Sequence, residues 1–139
     1  TQEAWQTFER ALLAHLDAEE AQLFPEFEAS HPVDATQLLA EHTRLRQRLE
    51  SFVEVAKVDH LVFKFRIYLG LFGLEEVNPD QVASHTQCRL GHWYYEGEGR
   101  DCFSRLDGYR DIEPPHIEVH RFGIEALRAR RSGDVEGML

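Results

Sequence analysis

The chain predicts an all-α fold: an antiparallel, four-helix bundle with a short broken helix or loop around residues 88–110. Three observations carry this. Apolar residues recur at steps of three, four or seven along most of the sequence, the period of a helix that buries one face. No stretch alternates apolar and polar residues as a half-buried strand would. A chain of 139 residues, 42% hydrophobic, has the material for one core.

From the N-terminus, Trp5, Phe8, Leu12, Leu16, Leu23 and Phe27 fall at helical spacing and predict a first helix near residues 2–28, with FPEFEASHP as its stop. After Pro32, Asp34 is a candidate cap. Leu38, Leu45, Leu49, Phe52, Ala56, Phe63 and Ile67 then predict a second helix of some thirty residues, uninterrupted by Gly or Pro until Gly70. VNPD marks a turn at Pro79, and Asp80 is placed to cap a shorter helix carrying QVASHTQCRLG. GHWYYEGEGR is rich in Gly and aromatic residues and predicts an irregular or broken helix. In PPHIEVHRFGIEALRARR, Pro114 and Pro115 suit a first helical turn and the basic end suits a last one. The chain lacks an initiator Met and ends in SGDVEGML, which resembles the start of another helical pattern; a piece of a longer protein is expected.

Charge narrows the function classes. With 25 acidic residues against 15 basic, a net −10, the chain is unsuited to displacing counterions from a nucleic-acid backbone. No apolar run reaches the roughly 20 residues that span a bilayer; Lys64 and Arg66 interrupt the best one. The start, TQEAWQTFER, lacks the layout of a secretory signal, so a cytoplasmic location with Cys88 and Cys102 as reduced thiols is expected.

Eight histidines concentrate the chemistry. His60 lies on the inward stripe of Phe52, Ala56, Phe63 and Ile67. His116 and His120, four apart, stack on one helical face within reach of a common ion. Three imidazoles with the Cys88 thiolate would suit zinc, a borderline-soft ion that favours four such ligands. A lone inward His is ordinarily a hydrogen-bonded core residue, however, and His-x3-His is common on solvated faces. Spacing alone leaves both readings open.

The segment HTQCRLGHWYYEGEGR, preceded by KVDHLVFK and followed by PHIEVHRFGIEAL, resembles the chemoreceptor zinc-binding (CZB) domain family over about residues 52–130. That family has a His on a long first helix, a Cys-x-Leu-Gly-x-Trp-Tyr segment and a closing His-x3-His helix. The resemblance implies zinc ligation by His60, Cys88, His116 and His120, in a non-catalytic sensory domain of a bacterial signalling protein. It further implies a homodimer and an attached or partner signalling domain of chemoreceptor or diguanylate-cyclase type. The input would be zinc itself or oxidation of the Cys88 thiolate. His92 stands where the family usually has a basic residue, His85 is a reserve ligand, and Cys102 is expected to pack.

HLDAEEAQLFPEF and LLAEHTRLRQRL resemble part of a hemerythrin HHE cation-binding domain over about residues 8–50. The corresponding residues are His15, Glu19 and His42, a secondary candidate metal set for iron. Half of that pattern is missing: the position four after His60 is Lys64, a cation. A degenerate hairpin over residues 1–50, packed against a zinc-binding segment over 51–139 in one bundle, is expected. Three functions follow in order of preference: a regulatory zinc domain, an oxygen, nitric oxide or iron protein of hemerythrin type, and a zinc hydrolase. The last needs an open metal position that four protein ligands would close.

Overall fold

A computed structural model describes residues 2–22, 24–106 and 108–133, without the side chains of residues 2–5, 32 and 33. The order is α1 (Gln2–Gln22), α2 (Phe24–Ser30), α3 (Pro32–Phe72), a 3-10 turn (Pro79–Gln81), α4 (Arg89–Tyr95), a π turn (Gly99–Phe103), a second 3-10 turn (Arg110–Ile112) and α5 (Glu113–Ser132). The described residues contain no strand, so the all-α bundle is what forms. The burial of Trp5, the place of Leu23 and the helical pattern expected in SGDVEGML lie outside this description.

Several boundaries differ from the sequence expectation. Helix covers both α1 and α2, with Leu23 between them outside the description, and FPEFEAS, expected as the stop, is itself helical. The cap of α3 is His31, with proline at the first helical position, and Asp34 sits inside the first turn. Leu38, assigned to the buried stripe, is exposed. The helix also continues through Gly70, where a Cβ would lie 2.7 Å from the Leu127 methyl Cδ2, so the missing side chain admits α5. It stops at Gly73, whose φ of 71° places it in the left-handed region that ends helices. Asp80 caps no helix: it lies in the 3-10 turn, its N–H donating to Asn78 Oδ1, and QVASHTQ is mostly non-helical.

α1 runs antiparallel to the first half of α3: Phe8 shares Trp93 with Phe52, while Glu19 and Glu20 reach back to His42. α5 runs in the same direction as the second half of α3, with His120 beside His60, Gly123 against Phe63 and Ile67, and Leu127 against Gly70. The segment from Leu74 to Ile112 makes that possible by descending along the bundle before α5 climbs.

One core joins the ends of the sequence. Phe8, Leu12 and Leu16 of α1 pack with Leu49, Val53 and Ala56 of α3, Leu90, Trp93 and Tyr94 of α4, and Tyr109 and Ile112 ahead of α5. Trp93 stacks on Phe52 at 5.1 Å, and Tyr94 on Tyr109 at 4.5 Å. The Tyr109 hydroxyl donates to the Tyr94 carbonyl at 2.7 Å. The π turn brings Gly99 so close to Trp93 that a Cβ would sit 2.5 Å from the indole ring. This aromatic layer fixes α4, and with it Cys88, against α1 and α3, and the Tyr95 hydroxyl ties α4 to α5 by donating to Glu113 at 2.7 Å.

Candidate metal centre

Each ligand candidate is placed by a different local device. His60 lies on the inner face of α3, and its Nδ1 bonds the Ala56 carbonyl at 2.7 Å, one turn back. His120 lies on α5 with its Nδ1 2.9 Å from the carbonyl of Ala83. A ring that donates from Nδ1 to a carbonyl presents a lone pair at Nε2, the tautomer a metal requires. In both residues Nε2 is buried without a hydrogen-bond partner. An orphaned buried polar atom costs about 1–3 kcal/mol, and two side by side are unusual in a native core. Their arrangement fits a cation held between the two rings.

Cys88 is held by the turn that precedes α4. Its backbone N–H reaches the Ser84 carbonyl at 3.3 Å, and its Sγ caps α4 by accepting the Gly91 N–H at 3.3 Å. Gly91 is required for this packing, because any Cβ would overlap the His85 carbonyl and lie 2.9 Å from the Thr86 Cα. His116, one turn before His120, puts Nε2 at 3.1 Å from the Cys88 sulfur.

The four side chains converge. One ligand atom from each of His60, Cys88, His116 and His120 lies within 4.8 Å of every other. Among the described residues this is the one group of three or more His, Cys, Asp or Glu to do so. The rings stand 5.0–5.4 Å apart, with interplanar angles of 71° to 83°. Tetrahedral zinc, with bonds of about 2.0–2.3 Å, needs ligand separations of roughly 3.3–3.6 Å, so closure takes shifts of about an ångström. Phe63, its ring 4.5 Å from that of His120, borders the site with carbon.

The electrostatics favour neutral imidazoles. Burial pushes His116 down to about 3, helped by repulsion from His60, His120 and His85. Burial likewise lowers His120 to about 4, although its bond to the Ala83 carbonyl opposes this. Burial raises the Cys88 thiol, against the N–H of Gly91. Loading a cation would therefore meet imidazoles already deprotonated and would displace one proton from sulfur.

The other candidates sit differently. The His85 ring is 6.2 Å from that of His116 and 5.9 Å from that of Tyr95, beside the cluster and outside it. His92 is exposed near Glu96, and Cys102, expected to pack, is exposed on the π turn. Glu118, on α5, is tied to Arg121 at 2.6 Å.

In the N-terminal half, Glu19 bridges His15 at 3.3 Å and His42 at 3.1 Å, while the second ring nitrogen of His42 meets Glu20 at 2.9 Å. Arg46 joins Asp17 and Glu20. His42 is 8% exposed and has a carboxylate on each nitrogen, which occupies both of its potential ligand positions. The sequence reading missed Glu20, whose signal is only its place beside Glu19. It also missed the carbonyls of Ala56 and Ala83, which have no sequence signal.

Fold and site together define a helical module whose three-histidine, one-cysteine cluster is compatible with zinc. Residues 60–127 match the family model of the chemoreceptor zinc-binding domain, and residues 1–66 match that of the hemerythrin HHE cation binding domain. The first match opens at His60 and takes in all four clustered residues; the second contains His15, Glu19 and His42. No curated protein and no solved structure matches the chain. Among the described residues no helix is long and apolar enough to cross a membrane.

Proposed function

We propose that this chain is a zinc-binding regulatory module, without catalysis of its own, that holds one ion through His60, Cys88, His116 and His120. The observation that carries the reading is the pair of partnerless, buried Nε2 atoms of His60 and His120, aimed at the site shared by Cys88 and His116. The match at residues 60–127 supports zinc as the ion.

Bound zinc supplies a closed four-ligand node, with no open position for a substrate water. The chain's own residues do the rest. The carbonyls of Ala56 and Ala83 hold the His60 and His120 rings in the binding tautomer. The turn at Ser84–Cys88 presents sulfur, the aromatic layer around Trp93 holds α4 on α3, and the bonds from His120 to the Ala83 carbonyl and from Tyr95 to Glu113 tie this segment to α5. Because the ligands come from α3, the start of α4 and α5, occupancy governs how these three elements pack.

Two inputs fit this design: the free zinc level, or an oxidant that converts the Cys88 thiolate to a non-ligating form. A cleft of about 260 Å³, lined in part by Asp59, Val82, Cys88 and His120, gives access to the sulfur. The output would be a cytoplasmic signalling domain of chemoreceptor or diguanylate-cyclase type, attached or in a partner.

A second reading, an iron protein of hemerythrin type built on His15, Glu19 and His42, draws on the match at residues 1–66. The carboxylates on both nitrogens of His42 argue for an ion-paired, structural role instead. Metal analysis separates the two. One zinc per chain, lost in Cys88→Ala and His116→Ala, supports the first reading. Iron with near-ultraviolet oxo-bridge bands, or a zinc stoichiometry unchanged by those substitutions, contradicts it.

A further inference from the structure

Two clefts reach the cluster, and their charges differ. One, of about 480 Å³, leads to His60 and His116; its lysines are Lys57 and Lys64, against one carboxylate, Glu9. Lys57 is paired with Glu54 at 2.8 Å, whereas Lys64 has no ion pair among the described residues. The other cleft, of about 260 Å³, leads to Cys88 and His120. Its charged groups are Asp59, Arg66 and Arg89, and its walls are carbon, Phe63, Ile67 and Val82 among them. Walls of low dielectric focus the field of a single charge in such a space. The Nε2 atoms of His60 and His120 are buried, so an arriving ion meets these cleft walls before it meets the rings.

In the smaller cleft Arg66 is held by Glu75 at 3.4 Å, and Arg89 holds Asp59 at 2.8 Å. Asp59 precedes His60 on α3 and Arg89 follows Cys88 at the start of α4, so one ion pair joins the neighbours of two ligands from different elements. The side chains are 38% and 60% exposed, which makes the pair a weak, reversible contact. Burial is the main influence that raises the Cys88 thiol, and the charge of Asp59 adds to it, so carboxylate and sulfur share one electrostatic neighbourhood. We propose that Asp59 is the loading point of the metal centre: it captures the hydrated dication in this cleft for delivery to Cys88 and His120, and Arg89 is the latch that covers it between loadings. The proposal rests on the zinc-module reading. A cation with about six waters at roughly 30 Å³ each takes on the order of 180 Å³, which the cleft of about 260 Å³ accommodates. Delivery is ligand exchange: waters leave, ring nitrogens and sulfur take their places, and the thiol proton passes to solvent. The larger cleft is the poorer entrance, because Lys64 repels a dication there.

Stopped-flow mixing of the metal-stripped full chain with cobalt(II), read by the thiolate-to-metal absorption in the near ultraviolet, measures loading directly. Asp59→Asn should slow loading roughly fivefold or more at low salt, and Arg89→Gln should speed it by a similar factor, both differences shrinking as salt is raised. The gain from Arg89→Gln should vanish in an Asp59→Asn background, because the latch acts through the carboxylate. Lys64→Gln, at the other cleft, should leave the rate within about twofold. A loading rate indifferent to Asp59→Asn overturns the proposal, as does one that Lys64→Gln accelerates as much as Arg89→Gln does. So does an Asp59→Asn effect confined to metal release, which would make the residue merely structural. A wild-type chain that takes up cobalt without the thiolate band removes the zinc-site reading and this proposal with it, whereas the band with an insensitive rate removes the loading point alone.

Discussion

Gly91→Ala tests the local mechanism that presents the sulfur. In an ordinary helix this change gains about 1 kcal/mol from propensity. At position 91 the new methyl would overlap the carbonyl oxygen of His85 and lie 2.8 and 2.9 Å from the Thr86 carbonyl carbon and Cα. These are backbone atoms of a turn fixed by the bonds of Gln87 and Cys88 to the Ser84 carbonyl, so no side chain can swing aside. Overpacking of this kind costs about 1–3 kcal/mol, and the upper end applies where backbone must move. The net expectation is a loss of about 1–2 kcal/mol in the metal-free chain. A further loss of at least tenfold in zinc affinity is expected, because the Gly91 N–H bond to Cys88 Sγ shifts with the turn. Urea unfolding of stripped protein gives the first quantity, and competition with a chromophoric chelator gives the second. Stability equal to or above wild type with unchanged zinc affinity would refute the reasoning.

Other expectations follow from the same contacts. Metal-stripped protein should lose stability on acidification: His116 and His120 titrate at about 3 and 4 when folded and near 6.5 when unfolded, so unfolding takes up protons in that window. Their penalty is absent above pH ~6.5 and grows as pH falls through the window; a melting temperature flat from pH 7 to 4 would contradict the buried placement of both rings. Glu19→Gln should leave zinc content untouched while weakening the tie to His42, and a fall in zinc would mean that the two halves share one site. Phe8→Ala, at a residue 1% exposed with its ring 5.9 Å from those of Trp93 and Tyr109, should cost about 3–5 kcal/mol in a single transition. Two separate transitions, with only one shifted, would contradict a common core.

How much the sequence disclosed depended on where the information resides. His116 and His120 were legible because helical spacing of four stacks side chains, and His60 because it interrupts an apolar stripe. Cys88 emerged only from its motif, since nothing in periodicity distinguishes a sulfur ligand from a space-filling one. The carbonyls of Ala56 and Ala83 were invisible, because every residue has one and tertiary packing alone selects which is used. The cap assignments at Asp34 and Asp80 failed because a competing residue took each role: His31 before Pro32, and the Cys88 sulfur at the start of α4. On α3, following Phe52, Ala56 and Ile67 traced the inner face and passed over an equally apolar outer face through Leu61, Val62 and Phe65.

X-ray absorption at the zinc edge of the purified chain addresses the central claim most directly. Four ligands, three nitrogens at about 2.0 Å and one sulfur at about 2.3 Å, are predicted, with the sulfur shell lost in Cys88→Ser. A spectrum with no sulfur in the wild-type shell, or one that Cys88→Ser leaves unaltered, would contradict the assignment.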